Sequence, residues 1–157
     1  TRINLSNLFG NIAQTGLTEG QFYGIALSIS YCLNNTDIMN AIMQEGAAYL
    51  TEEIIKAAKI AATLMAMNNV YYRAIHFAKN TDLLSMPANL RMSSMLNPGV
   101  SKIDFELFSL AVSGLNGCGI CINAHVKELL ECGLNIVAIQ SAIRIAAIFN
   151  AVKLALL

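Results

Sequence analysis

Charge is scarce in this sequence of 157 residues, and neither sign prevails. Lys and Arg number ten, Asp and Glu number ten, and charged residues make up 13% of the chain, against about 25% in a typical soluble domain. Without a basic surplus the chain lacks the cations that bind a phosphate backbone, so we exclude nucleic acid as a main partner. So little charge also makes a fully wetted monomer surface hard to build. We therefore predict a homo-oligomer.

Tryptophan is absent and only two prolines occur, so little in the sequence interrupts helices. Apolar residues recur at helical spacing almost throughout, and no alternating apolar and polar run indicates a strand. Apolar residues amount to 55% of the chain, which excludes disorder because enough surface is available for burial. The length fits one domain. We predict an all-α fold with a single helical domain over residues 1–157.

A stretch of twenty residues without Asp, Glu, Lys or Arg lies between Glu106 and Lys127, about the length that a bilayer requires. Its glycines interrupt a helix, and its asparagines and histidine carry polar groups that lipid cannot satisfy. The stretch therefore fits hydrocarbon poorly. The first residues show no positively charged segment followed by an apolar one, as a secretory leader would. The sequence therefore predicts no membrane span and a cytoplasmic location.

Residues that favour helix ends predict where the helices begin and stop. Thr51, Asp104 and Asn135 each precede an apolar-periodic segment and are predicted as N-caps, while Gly114 and Gly117 are predicted to bracket a short turn. A 48-residue shift aligns residues 66–69 with 114–117, a weak internal repeat that would give two related helical halves. The remaining predictions are helices over 4–15, 19–33, 37–49 and 118–133, a long loop over 85–100, and a final helix over about 136–152 that is apolar on nearly every face.

The sharpest local motif is Cys118-Gly-Ile-Cys121, followed four positions later by His125. Two cysteines three positions apart at a helix start can close a small disulfide reversibly, and the helix N-terminus favours a thiolate. At about 100° per residue, all three side chains share one helix face. A base one turn from a nucleophilic sulfur suits thiol chemistry. Two alternatives stay open, namely buried thiols beside a satisfied histidine and a zinc site with these three ligands.

Glu106 precedes Cys118 by twelve residues, on the helix before the glycine-rich turn. Two antiparallel helices joined so tightly can bring this carboxylate beside the cysteine face. Apolar neighbours such as Phe105 and Phe108 would then partly desolvate it and suit it to proton transfer. From spacing alone, an ordinary first-turn glutamate is the simpler interpretation. The sequence assigns only packing roles to Cys32, Cys132, His76 and the methionines.

The pattern E-x11-C-x2-C-x3-H, formed by Glu106, Cys118, Cys121 and His125, resembles the active-site signature of the alkyl hydroperoxidase D (AhpD) family. This family belongs to the carboxymuconolactone decarboxylase-like superfamily. Residues 67–73 and 139–146 resemble it too, so the likeness spans about residues 51–152. It implies an all-helical subunit, usually a trimer, without a tightly bound cofactor or metal. The two cysteines would be the redox pair, and the glutamate and histidine a proton relay.

The resemblance also implies a function. Members reduce an AhpC-type peroxiredoxin with electrons from the dihydrolipoyl groups of a 2-oxo acid dehydrogenase component, and they weakly reduce organic hydroperoxides directly. The mixed disulfide with the partner would form on Cys121. Some members carry a second histidine where this chain has Ile120, so the relay would be altered here. The CxxC argues against lactone decarboxylation. The alternatives are a stand-alone thiol peroxidase or disulfide reductase with another donor, and a non-catalytic zinc-binding helical module.

Overall fold

The computed structural model describes residues 1–156 and contains helices but no strand in that range, which confirms the predicted all-α class. Leu157, the last residue of the predicted domain, lies outside the described residues. Two 3-10 turns cover Ile12–Thr15 and Ser93–Met95. The α-helices are α1 (Arg2–Gly10), α2 (Glu19–Leu33), α3 (Thr36–Glu45), α4 (Glu52–Ala78), α5 (Thr81–Ser85), α6 (Lys102–Asn116), α7 (Gly119–Glu131) and α8 (Ile136–Ala155).

Helix α6 lies at the centre of the fold, where it contacts α2, α4, α7 and α8. Phe108 of α6 and Phe22 of α2 are completely buried and belong to one apolar cluster. Gly24 lets α2 approach α6 closely, because a Cβ at this position would collide with the ring of Phe108. Because α6 is packed on several sides, the helix that carries Glu106 is held in place.

Capping side chains set the start of the long helices. The Thr51 hydroxyl accepts a hydrogen bond from the Ile54 N–H at 3.3 Å, and Asn135 Oδ1 accepts one from the Ala138 N–H at 2.8 Å. Each bond satisfies a backbone donor that the first helical turn leaves free. Both predicted N-caps are therefore confirmed.

The prediction that Asp104 caps the next helix is wrong. Ser101 is the N-cap, since its hydroxyl accepts from the Asp104 N–H at 3.1 Å and α6 begins at Lys102. Asp104 lies in the first turn, where the helix dipole favours an anion. Its carboxylate accepts a hydrogen bond from Gln21 Nε2 of α2 at 2.8 Å. The residue that looked like a cap thus joins two helices instead.

The turn between α6 and α7 is tighter than predicted. Gly114 lies inside α6, so the prediction that it borders the turn is wrong, and Gly117 alone has the left-handed conformation, with φ +67°. The Gly117 N–H donates to the Gly114 oxygen and the Cys118 N–H to the Ser113 oxygen, both at 3.2 Å. This is the hydrogen-bond pattern of a Schellman motif, which ends a helix sharply. Helix α7 therefore starts at once and packs back onto α6.

Other predicted boundaries change by a few residues. The first helix ends at Gly10 before a separate 3-10 turn, and α3 ends at Glu45 rather than at residue 49. At Gly46 a Cβ would collide with the Tyr23 ring, so glycine lets the end of α3 pass close to that ring. The predicted long loop holds one 3-10 turn. Residues 66–69 lie inside α4 whereas residues 114–117 end α6, and the internal repeat stays a prediction.

Within residues 1–156, α8 is the one helix that is long and apolar enough to cross a membrane, judged by length and composition only. Core helices of globular proteins pass the same test, so this indication is weak. One face of α8 is buried, with Ala142 and Ile145 inaccessible, while Ile136, Val137 and Leu154 are exposed. The charge-free residues 107–126 form two helices and a turn rather than one span. The predicted homo-oligomer stays a prediction.

Candidate functional site

Cys118 and Cys121 form a disulfide at the start of α7, with their Cα atoms 5.3 Å apart. Cys118 is the N-cap residue, and Cys121 lies in the first helical turn. The free backbone N–H groups and the dipole of that turn favour negative charge on sulfur. Cys118 is completely buried, whereas Cys121 is 8% exposed. Of the two cysteines, Cys121 is therefore the less buried.

The structure brings the predicted carboxylate and histidine together. Glu106 lies on α6 and His125 on α7, and the antiparallel packing of these helices places Nδ1 of the imidazole 2.6 Å from Oε2 of the carboxylate. Both side chains are largely buried. With the carboxylate as acceptor, Nδ1 carries the hydrogen of a neutral ring, and the lone pair is on Nε2. A carboxylate that orients an imidazole in this way equips it to exchange protons at its other nitrogen.

The second imidazole nitrogen faces a methionine. His125 Nε2 lies 3.3 Å from Sδ of Met65 on α4. Met65 is itself almost fully buried, and its thioether can accept a hydrogen bond only from a protonated Nε2, so beside the neutral ring it makes a packing contact. Nothing in the sequence pattern singles out Met65, because its contact with His125 joins residues 60 positions apart. Three helices thus hold the histidine ring in place.

A small apolar cavity of about 220 Å³ lies beside the disulfide. Cys121 contributes to its wall, and Cys118 does not. Ile120, which lies between the cysteines, is 43% exposed and borders the opening. A small uncharged molecule can therefore reach one sulfur and the imidazole together. The lining residues are Met65, Asn68, Tyr72, Met95, Ile120, Cys121, Ala124 and His125.

A larger cleft of about 510 Å³ borders α1 and α8. Amide side chains and Arg144 line it, but it contains no cysteine, histidine or carboxylate. It therefore offers hydrogen bonds without a nucleophile or a general base. The chemistry of the lining, rather than the volume, places the candidate site at the smaller cavity.

Other residues with possible chemistry lie apart from this site. Cys32 and Cys132 are free and partly buried, and His76 packs near the ring of Phe77 at the end of α4. Within residues 1–156, no group of three His, Cys, Asp or Glu side chains is arranged to hold a metal ion. The zinc alternative therefore has no ligand cluster in the part of the chain that the structure describes.

Comparisons with known proteins identify relatives along nearly the whole chain. The profile of the carboxymuconolactone decarboxylase family matches residues 81–156. A protein of Coxiella burnetii, strain Dugway 5J108-111, is 44% identical over 149 residues, which cover 95% of this chain and 84% of the relative. Proteins of Rhodopseudomonas palustris and Brucella canis are each 46% identical over 155 residues, covering 99% of this chain and 84% and 87% of their own lengths.

All three relatives are named alkyl hydroperoxide reductase AhpD. The aligned region includes the helices that carry the disulfide and the glutamate–histidine pair. An identity near 45% over almost the whole chain is far above what a shared fold alone requires. This chain therefore belongs to the AhpD family, within the carboxymuconolactone decarboxylase-like superfamily.

Proposed function

We propose that this protein is a thiol-disulfide oxidoreductase of antioxidant defence, in which Cys118 and Cys121 carry two electrons per cycle. The observation that carries the proposal is the small cavity where the accessible sulfur of Cys121 meets His125, itself paired with Glu106. Membership of a family whose relatives are named alkyl hydroperoxide reductases supports the same activity. Glu106, Cys118, Cys121 and His125 are the proposed catalytic residues.

The oxidised pair takes electrons from a dithiol. One donor thiolate attacks Cys121 Sγ, the bond from Cys121 to Cys118 breaks, and Cys118 leaves as a thiolate. The second donor thiol loses its proton and attacks the donor sulfur of the mixed disulfide. This closes a disulfide on the donor and releases Cys121 as a thiolate. Two electrons have then moved from the donor to the protein.

The glutamate–histidine pair handles the accompanying protons. His125 lies one helical turn beyond Cys121 on the same face of α7, and it lines the same cavity. Its imidazole can accept a proton from an attacking thiol and return it to a leaving sulfur, while Glu106 stabilises the imidazolium between the two steps. Ile120 replaces a second histidine found in some members, so a relay in this chain depends on His125 alone.

We propose the partners from the family resemblance. The donor is the dihydrolipoyl group of a 2-oxo acid dehydrogenase component, and the acceptor is the disulfide of an AhpC-type peroxiredoxin. The apolar cavity supports an aliphatic dithiol donor, because its lining carries no charged side chain apart from the imidazole when protonated. Organic hydroperoxides are weaker direct substrates. A trimer, a cytoplasmic location and the absence of a tightly bound cofactor complete this proposal.

Reconstitution tests the proposed function. Hydroperoxide consumption is followed in a mixture of this protein, an oxidised AhpC-type peroxiredoxin and a lipoylated dehydrogenase component with its substrates. The matched control is the same component without its lipoyl group. We expect turnover only when all three proteins are present and the donor is lipoylated. Faster reduction by glutathione or thioredoxin would favour the stand-alone reductase, and stoichiometric zinc without thiol loss on oxidation would favour the zinc module.

A further inference from the structure

Three helices converge on the turn that precedes Cys118. Arg73 of α4 donates to the main-chain oxygen of Asn116, the last residue of α6. The Asn116 side chain donates to Asn69 Oδ1 at 3.0 Å and accepts from the Cys32 thiol of α2 at 3.5 Å. The reaction proposed above uses none of these groups. Their common effect is to fix the backbone two residues before the first cysteine.

Arg73 brings a positive charge to this turn, and no carboxylate of residues 1–156 neutralises it. It is partly buried, and in the range 1–156 it forms no ion pair. The carbonyl end of α6 attracts a cation through the helix dipole. Asn116 is two residues from Cys118, so the guanidinium lies within about 10 Å of that sulfur. The ion pairs of the described chain are Lys102 with Glu128, His125 with Glu106, and Lys127 with Glu131.

The disulfide thus lies between two different polar groups. Glu106 and Asn116 are ten positions apart on α6, which is about 15 Å along the helix axis. Helix α7 runs back along α6, so Cys118 is at the Arg73 end and His125 is at the Glu106 end. A cation is therefore close to the buried sulfur, and a proton carrier is close to the accessible one.

We propose that Arg73 is a positioning residue that makes Cys118 the leaving group when a thiolate attacks the disulfide. This assignment rests on the proposed function, and it adds the group that directs the attack of the donor thiolate to Cys121. As the donor sulfur bonds to Cys121 and the Cys121–Cys118 bond breaks, negative charge passes to Cys118. Arg73 and the N-terminus of α7 stabilise that charge, and a better-stabilised thiolate leaves faster.

The test compares Arg73→Gln with Arg73→Lys, which keeps the charge, and with Arg144→Gln, which removes an exposed arginine of α8. The equilibrium of each disulfide with the dihydrolipoamide and lipoamide couple is measured at neutral pH by thiol labelling. For Arg73→Gln we expect a shift of about tenfold toward the protein disulfide, the effect of one charge at this distance in a partly buried site. Tenfold corresponds to about 30 mV. We expect disulfide reduction by dihydrolipoamide to slow by a similar factor.

The lysine variant and the Arg144→Gln control should remain within about twofold of the wild type, since neither loses the charge near Cys118. Thermal unfolding of the oxidised proteins shows whether each variant is folded, and Arg73→Met replaces the glutamine variant if that one unfolds. If a folded variant that lacks the charge keeps the wild-type equilibrium and the wild-type reduction rate, the role assigned to Arg73 is wrong. If the wild-type disulfide does not exchange with dihydrolipoamide at all, the proposed function fails first.

Discussion

Nδ1 of His125 lies 2.6 Å from Oε2 of Glu106, a contact that joins α7 to α6 across 19 residues of sequence. Both side chains are largely buried, so little water competes for the bond. The pair orients the ring beside the cavity that exposes Cys121. Because the contact involves the imidazole and not a sulfur, the proposed proton transfer and the proposed electron transfer can be tested separately by mutation.

Glu106→Gln and His125→Gln should each slow peroxiredoxin-linked turnover by about 10²–10⁴-fold, the range for loss of general acid–base catalysis. The Cys118–Cys121 disulfide should still form in both variants, because neither change removes a sulfur. Turnover assays and free-thiol counts measure the two effects. Glu131→Gln, at an exposed position, is the control and should keep wild-type turnover. Near-normal rates in both relay variants would show that the pair has no catalytic role.

Cys118→Ser should accumulate a reducible adduct with an oxidised peroxiredoxin, and Cys121→Ser should accumulate little. Cys121 lies on the cavity wall while Cys118 is completely buried, so a partner reaches Cys121 first, and removal of Cys118 leaves the mixed disulfide unresolved. Non-reducing electrophoresis detects the adduct, with Cys132→Ser as the control that should resemble the wild type. The opposite pattern would assign the attacking role to Cys118.

In solution we expect a closed homo-oligomer, a trimer by family resemblance. Large apolar side chains are exposed on α8, among them Ile136, Val137 and Leu154, and a subunit contact would remove them from water. Sedimentation at micromolar concentration measures the mass. Val137→Asp should shift the distribution toward smaller species if α8 forms the contact. A single species of 16.9 kDa in the wild type would contradict the prediction.

Gly24→Ala should destabilise the oxidised protein by about 1–3 kcal/mol, the usual cost of overpacking a core. The added methyl would collide with the ring of Phe108, which is completely buried. Gly114→Ala is the matched control, since a Cβ inside α6 meets nothing within 4 Å. That change should be neutral or stabilising by up to about 1 kcal/mol, because alanine favours helix. Urea unfolding gives both values, and equal effects would contradict the packing described for α2 and α6.

Burial raises the pKa of the Cys32 thiol above 9.0, and the charge of Lys153 only partly opposes the shift. The folded protein therefore keeps this proton at pH values where the unfolded chain loses it. The contribution of Cys32 to the free energy of unfolding is complete below pH 9.0 and declines above it. Iodoacetamide should accordingly modify Cys32 in the oxidised protein more slowly than a free thiol in a peptide. Equal rates at pH 8, measured by mass spectrometry, would contradict this.

Features that depend on one helix could be predicted from the sequence. The spacing of Cys118, Cys121 and His125 fixes their common face, because the geometry of an α-helix does not depend on its neighbours. Thr51 and Asn135 were predictable caps for the same local reason. Asp104 was not, since Ser101, three residues earlier, offers an equally good acceptor and nothing in the local pattern shows which of them the helix uses.

Contacts between helices were predictable only in part. The short turn made an approach of Glu106 to the cysteine face conceivable, but only the packing of α7 on α6 gives the 2.6 Å contact with His125. Met65 and Arg73 reach the site from α4, over 60 and 43 residues of sequence. No local periodicity encodes such distances, because the crossing of α4 with α6 and α7 sets them. The Met65 contact therefore had no signal in the sequence, and the cluster around Asn116 had none beyond the family resemblance of residues 67–73.

The disulfide spans only three positions of sequence, and this keeps the proposed redox chemistry largely independent of folding. In the chain-entropy description, closing a four-residue ring restricts the unfolded chain by about 2 kcal/mol, against about 3 kcal/mol for a ring of 15 residues. Reduction therefore removes less conformational restraint than the opening of a disulfide between distant residues would. The bond joins the N-cap residue of α7 to the first turn of the same helix, so it does not link two separate helices. The proposed cycle of opening and closing this bond therefore requires no rearrangement of the tertiary structure.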